Sequence, residues 1–176
     1  MAKRILHGVI IECVLGDIAD QPDMDAIVNA ANADLKAGVG VAGAIHSAAG
    51  LGLEVECRPL APIEPGEAVI TRAHRLPNRQ IIHCLGPVFG RDDQADELLA
   101  FCYRKALCLA EANGIGSIVF PPIARDASGD PVEAEARIAF AIIDELLPEL
   151  PGIELVRFTV SDSITLELYT HALEGL

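Results

Sequence analysis

Asp25 to Gly50, read DAIVNAANADLKAGVGVAGAIHSAAG, places two asparagines and three glycines between an apolar run and a small-residue stretch. Asn29 and Asn32 supply neutral donors and acceptors of the kind that suit sugar hydroxyls. Gly38, Gly40 and Gly43 punctuate the loop that follows. A strand that feeds a glycine loop opening into a helix can aim several backbone N–H groups at an anion. The chemistry to expect is recognition of a nucleotide or phosphorylated sugar, without a lysine clamp.

The flanking sequence must hold that loop in place. Ala26 to Val28 reads as a short buried strand, and Val41 to Ala49 as the helix after the loop. The opening MAKRILHGVIIECVL is read as the first strand, centred on Val9 to Val14, because His7, Gly8 and Glu12 interrupt it as a leader. Ala68 to Thr71 and Gln80 to Cys84 read as an antiparallel pair. Asp92 to Asn113 carries Leu98, Leu99, Cys102, Ala106 and Leu109 at helical spacing. Ser117 to Phe120 reads as a strand. Pro131 to Leu147 reads as a helix, with Pro131 in its first turn. Leu155 to Val160 is the last strand, and Asp162 caps a helix over Ser163 to Ala172. Pro59 to Gly66 reads as a surface loop. This alternation predicts an α/β fold, a three-layer α/β/α sandwich with a mixed central sheet, built as one domain over residues 1–176.

Composition narrows the function. Half the 176 residues are hydrophobic and few are aromatic, so aliphatic side chains must fill the core. No apolar run reaches membrane-spanning length, and the expected location is the cytoplasm. A formal charge of −13 argues against general nucleic-acid binding, but not against a nucleotide held by oriented backbone dipoles. Five cysteines without a C-x-x-C pair favour buried free thiols over a disulfide framework or zinc site. His46 and His83 have no partner at ligand spacing, so they and the other three histidines are expected to be satisfied structural residues; neither a metal nor a cofactor is expected. Gly16-Asp17-Ile18 after the first strand is not a dinucleotide fingerprint, and no Walker lysine loop is present.

The Asn-Ala-Ala-Asn elbow with its glycine loop closely resembles the signature of the macro domain family, the ADP-ribose-binding modules. GDI (Gly16 to Ile18), GEAVIT (Gly66 to Thr71), IIHCLGP (Ile81 to Pro87) and FPPIARDASGDP (Phe120 to Pro131) extend the resemblance over residues 8–173. The resemblance implies that Asp17 accepts a hydrogen bond from the adenine amino group and that Ile18 contacts the ring plane. It implies that Asn32 holds the distal ribose, with any catalytic role falling to it, while Asn29 serves mainly as scaffold. It implies that Gly38, Gly40 and Val41 form the first phosphate cradle and that Arg125, Asp126, Ser128 and Gly129 belong to the second.

The chain also departs from the family pattern. Ala37 and Val39 break the glycine run, and Val39 must either adopt ordinary geometry or crowd the ribose. Ala42 stands where MacroD-type hydrolases of the family carry a water-orienting aspartate, which leaves Asp34 or Asp126 as substitute acids. Asp126 replaces a glycine that faces the diphosphate. A carboxylate ~4 Å from a phosphate costs on the order of 4 kcal/mol at an effective dielectric near 20, unless Arg125 pairs with it. Ser128 and Ser161 stand where aromatics are common. The expected function is binding of ADP-ribose or a related adenine nucleotide, with ADP-ribose or an ADP-ribosylated protein as partner. Weak hydrolysis of ADP-ribosylated protein or O-acetyl-ADP-ribose stays open. The alternative is a divergent macro domain that has lost diphosphate binding and recognises another small ligand or a protein.

Overall fold

A computed structural model describes residues 2–126 and 131–176. Seven strands form one sheet in the order β1-β2-β9-β7-β3-β5-β4. They are β1 (Ala2–Leu6), β2 (Val9–Leu15), β3 (Ala26–Ala30), β4 (Ala68–Arg72), β5 (Gln80–Cys84), β7 (Ser117–Phe120) and β9 (Leu155–Val160). The five inner strands run parallel, and only the edge pairs β1/β2 and β4/β5 are antiparallel. The mixed sheet therefore stands as expected. Two short strands, β6 (Val88–Phe89) and β8 (Arg125–Asp126), pair in parallel outside it.

The opening stretch is a hairpin, not one strand. His7 and Gly8 both take positive φ (50° and 86°), the backbone that a two-residue hairpin turn requires. Leu6 then lies opposite Val9, and the chain reverses into β2.

Alternation along the parallel strands builds two cores. Ala26, Val28, Ile82, Ile118 and Phe120 face one side of the sheet, whereas Ile27, Ile81 and Val119 face the other. Helices α3 (Ala95–Ala112), α4 (Val132–Leu146) and α5 (Ser163–Glu174) cover the first side; α1 (Gly40–Ala49) and α2 (Leu51–Cys57) cover the second. The outcome is the three-layer sandwich. The aliphatic expectation holds on one side only. Five of the seven aromatic rings (Tyr103, Phe120, Phe140, Phe158 and Tyr169) cluster under α3–α5, with Phe140 and Phe158 edge to face at 5.0 Å.

Helix boundaries moved where a side chain found another use. α3 begins at Ala95 rather than Asp92, because the Asp92 carboxylate accepts the Val88 N–H at 2.7 Å and closes the preceding turn. Asp162 caps α5 as expected, accepting the Thr165 N–H at 2.8 Å. α2 was not anticipated, since Gly50 (φ 83°) separates it from α1 and only Leu53 and Cys57 mark its buried stripe. Four cysteines are buried free thiols, but Cys108 is exposed on α3. Among the described residues no helix is long and apolar enough to cross a membrane.

Candidate functional site

A cleft of about 880 Å³ opens at the carboxyl ends of the parallel strands, where open α/β sheets present their loops to ligands. β2 contributes Leu15 and, just beyond it, Gly16, Asp17 and Ile18; β3 ends in Ala30 and Ala31. Pro121 to Ala124 follow β7, and Thr159 to Asp162 come from the end of β9. The floor is apolar. Ile18, Ala31, Ile123, Ala124 and Val160 are buried. One polar group within it stands out: Thr159 is 2% exposed, and its Oγ1 has no hydrogen-bond partner among the described residues. A buried hydroxyl left without a partner carries a desolvation cost that a ligand or a water can relieve.

One wall is the start of α1. Asn32 secures the approach to it: its Nδ2 donates to the Lys36 carbonyl at 2.7 Å, and its Oδ1 accepts the Lys36 N–H at 3.0 Å. This closed ring fixes the turn between β3 and the glycine loop. The loop then packs back on the helix it feeds. A Cβ on Gly43 would fall 2.2 Å from the Gly38 carbonyl oxygen, so position 43 admits no side chain. Gly40 takes φ 65°, a left-handed value that a branched residue resists. Val39, between Gly38 and Gly40, has ordinary extended geometry (φ −91°) and is 96% exposed, so it does not crowd the floor. No side chain caps α1. Its first N–H groups, with their share of the helix dipole, open where Gly40 and Val41 line the cleft.

The opposite wall is the β7–β8 loop backed by α4. Glu135, wholly buried on α4, reaches into this loop. Its Oε1 accepts the Ile123 N–H at 2.6 Å and the Ala124 N–H at 3.2 Å, and its Oε2 accepts Ala124 at 3.2 Å. Tyr103 Oη donates to the same carboxylate at 2.7 Å. The Tyr103 phenol is pushed well above its ordinary value, first by burial and then by the Glu135 charge.

Beneath the α1 wall lies a buried polar layer. Asn29 Nδ2 donates to His83 Nδ1 at 3.0 Å, so the ring proton sits on Nε2 and is given to Thr71 Oγ1 at 2.9 Å. Thr71 passes its own proton to the Arg72 carbonyl. His83 is fully buried and neutral, and burial, with the nearby His46 adding to it, drops its pKa to about 3. His83 is thus a satisfied structural residue, as the sequence suggests, and Asn29 supports it through Nδ2, while Asn29 Oδ1 has no partner among the described residues. His46 is not the satisfied histidine expected: its Nε2 is buried without a partner among the described residues, and burial lowers its pKa.

The remaining sequence candidates divide. Asp17 and Ile18 sit together at the β2 end of the cleft, where Asp17 Oδ1 accepts the Ala19 N–H at 2.9 Å. Gly40, Val41 and Ser161 line the cleft, whereas Gly38 stands behind it against Asn32. Asp34 lines a separate hollow of about 210 Å³ with Lys36, Glu54 and Arg58. Ala42 is buried in the α1 packing. Arg125 and Asp126 are placed by backbone alone, as β8 beside β6, and their side chains lie outside the described residues. Ser128 and Gly129 lie outside them altogether. Glu135 was missed. The available signal was a carboxylate on the buried stripe of α4, between Val132 and Ala139. Among the described residues no cluster of His, Cys, Asp and Glu is placed to hold a metal.

The comparisons agree on one family. The Macro domain family model matches residues 28–139. A macro domain-containing protein of Mesorhizobium japonicum is 44% identical over 162 residues, covering 92% of each chain. A Cronobacter sakazakii protein named O-acetyl-ADP-ribose deacetylase is 42% identical over 168 residues, covering 93% of each. The Oceanobacillus iheyensis macrodomain solved with ADP superposes with a TM-score of 0.90 at 35% identity, over 98% of this chain and 94% of that one. A Trypanosoma brucei macrodomain in complex with ADP-ribose superposes at 0.83 with 33% identity, over 93% of this chain and 68% of that one. Sequence, fold and cleft position together place this chain in the macro domain family.

Proposed function

We propose that this protein binds ADP-ribose, free or attached to protein, in the cleft at the carboxyl ends of β2, β9, β7 and β3. The observation that carries this reading is the uncapped start of α1, which opens on the same cleft as Asp17 and Ile18. Asp17 and Ile18 receive the adenine, the carboxylate accepting from the amino group and the isoleucine packing on the ring. The first N–H groups of α1, at Gly40 and Val41, take the diphosphate. Asn32 serves the distal ribose end by fixing the turn that leads into Gly38. The Thr159 hydroxyl gains a partner from the ligand or its water. The cleft volume and the ADP- and ADP-ribose-bound relatives support this assignment.

A second reading, slow hydrolysis, draws support from the relative named O-acetyl-ADP-ribose deacetylase. The described carboxylates lining the cleft are Asp17, Asp162 and Glu135, and each already accepts a main-chain N–H. These contacts give each carboxylate a structural part, and none of them singles out a general base. Binding is therefore the reading the described residues favour, and turnover the second.

A thermal-shift panel of adenosine, AMP, ADP and ADP-ribose tests the assignment, since a ligand that binds only the folded state raises its melting temperature. Stabilisation should rise along the series, and Asp17→Ala should reduce it for every member. Equal, null shifts from all four ligands would refute the reading. Incubation with O-acetyl-ADP-ribose and with mono-ADP-ribosylated protein measures turnover directly.

A further inference from the structure

The two walls of the cleft differ in what their backbone N–H groups already do. Those at the start of α1 meet no capping side chain. Those of Ile123 and Ala124 are both taken by a carboxylate of the protein itself. That carboxylate is wholly shielded from water, and Tyr103 Oη orients it from behind at 2.7 Å. It sits in the first turns of α4, where the helix N-terminus favours negative charge. Glu135 thus occupies the place an anionic group would take against these loop amides, and its own charge faces any second anion brought to the same wall.

We propose that Glu135 is a built-in anion of the cleft: it holds the β7–β8 loop by the Ile123 and Ala124 N–H groups and withholds them from a ligand phosphate. Among the described residues, the amides left for a diphosphate are then those of the α1 wall. This inference rests on the reading that the cleft takes ADP-ribose. It adds that Glu135 sets how much of the ligand's affinity comes from its phosphates. Glu135 is a positioning and specificity residue that touches the loop, not the ligand. Its consequence is a narrowed preference for ADP-ribose over adenosine, because repulsion from a buried charge weakens only the charged ligand.

Two measurements test it. In the first, calorimetry compares ADP-ribose and adenosine on the native chain and on Glu135→Gln. The amide can still accept the loop N–H groups but carries no charge. The ratio of ADP-ribose to adenosine affinity should rise about ten-fold, with adenosine changed less than about two-fold. A ratio that is unchanged or lower overturns the proposal, and so does an equal loss for both ligands, which is what simple loosening of the fold would produce. If neither form binds ADP-ribose while both are folded by circular dichroism, the binding assignment itself fails. The second measurement uses the native chain and needs no variant. Hydrogen exchange should find the Ile123 and Ala124 amides protected without ligand, with no added protection when ADP-ribose saturates the cleft. Strong ligand-dependent protection of those two amides would place the phosphate on them and refute the role given to Glu135.

Discussion

The α1 wall and the β7–α4 wall of the cleft reach the same task by opposite routes. On the α1 side, precision comes from what is missing: no Cβ at Gly43, no branched residue at Gly40, no side chain capping the helix. The amides are left for a guest. On the β7–α4 side, precision comes from an added group, a buried carboxylate that ties down Ile123, Ala124 and Tyr103 together. A vacant cradle costs little to maintain, because its N–H groups face water until a ligand arrives. A filled one is rigid without ligand, but cannot be offered to it. The difference teaches that amides lining one cleft can be left open at one wall and already taken at the other.

The comparison is most easily broken at Glu135. Among the described residues, Glu135→Ala leaves at least three buried donors, Tyr103, Ile123 and Ala124, without this acceptor. Each is worth roughly 1–3 kcal/mol when unpaired, so a loss of about 3 kcal/mol is expected after water and relaxation recover part of it. Urea unfolding measures this. A cost below about 0.5 kcal/mol would mean that the loop does not depend on the carboxylate.

On the other wall, Gly43→Val drives a side chain into the Gly38 carbonyl and should displace the loop. ADP-ribose affinity should fall about 100-fold, or ~2.7 kcal/mol, by calorimetry. Retained affinity would mean that the glycine loop does not form the grip.

The layer below the α1 wall sharpens the contrast through pH. Burial holds His83 at about 3 in the folded protein, against an ordinary 6.5. Between those values the unfolded chain takes up a proton that the folded chain refuses. Stability is intact above about pH 6.5 and should decline as pH falls towards 3, by at most about 1.4 kcal/mol per pH unit from this residue. His83→Gln should flatten that slope in denaturation measured at several pH values. An unchanged slope would assign the acid sensitivity elsewhere.

How far the sequence revealed all this varied with the physics involved. The sheet and its helices were legible because apolar periodicity is local, and Asp162 announced α5 as a cap. The glycine loop was legible because few residues other than glycine tolerate its backbone. The N-terminal hairpin was read as one strand because His7-Gly8 is an unusual turn pair, yet its geometry is the required one. Asn32 was read for the ligand, and its amide proves to be bonded at both ends to Lys36, a closure that spacing alone does not disclose. The role of Glu135 was harder to read for a different reason. Its partners lie on α3 and on the β7–β8 loop, and only the packed fold brings them together.

The central claim is that the cleft binds ADP-ribose through the α1 wall, and calorimetric titration of the native chain with ADP-ribose tests it most directly. The account predicts saturable binding with one ligand per chain, weakened about 100-fold in Gly43→Val. No heat at millimolar ligand, or equal binding by the native chain and the variant, would contradict it.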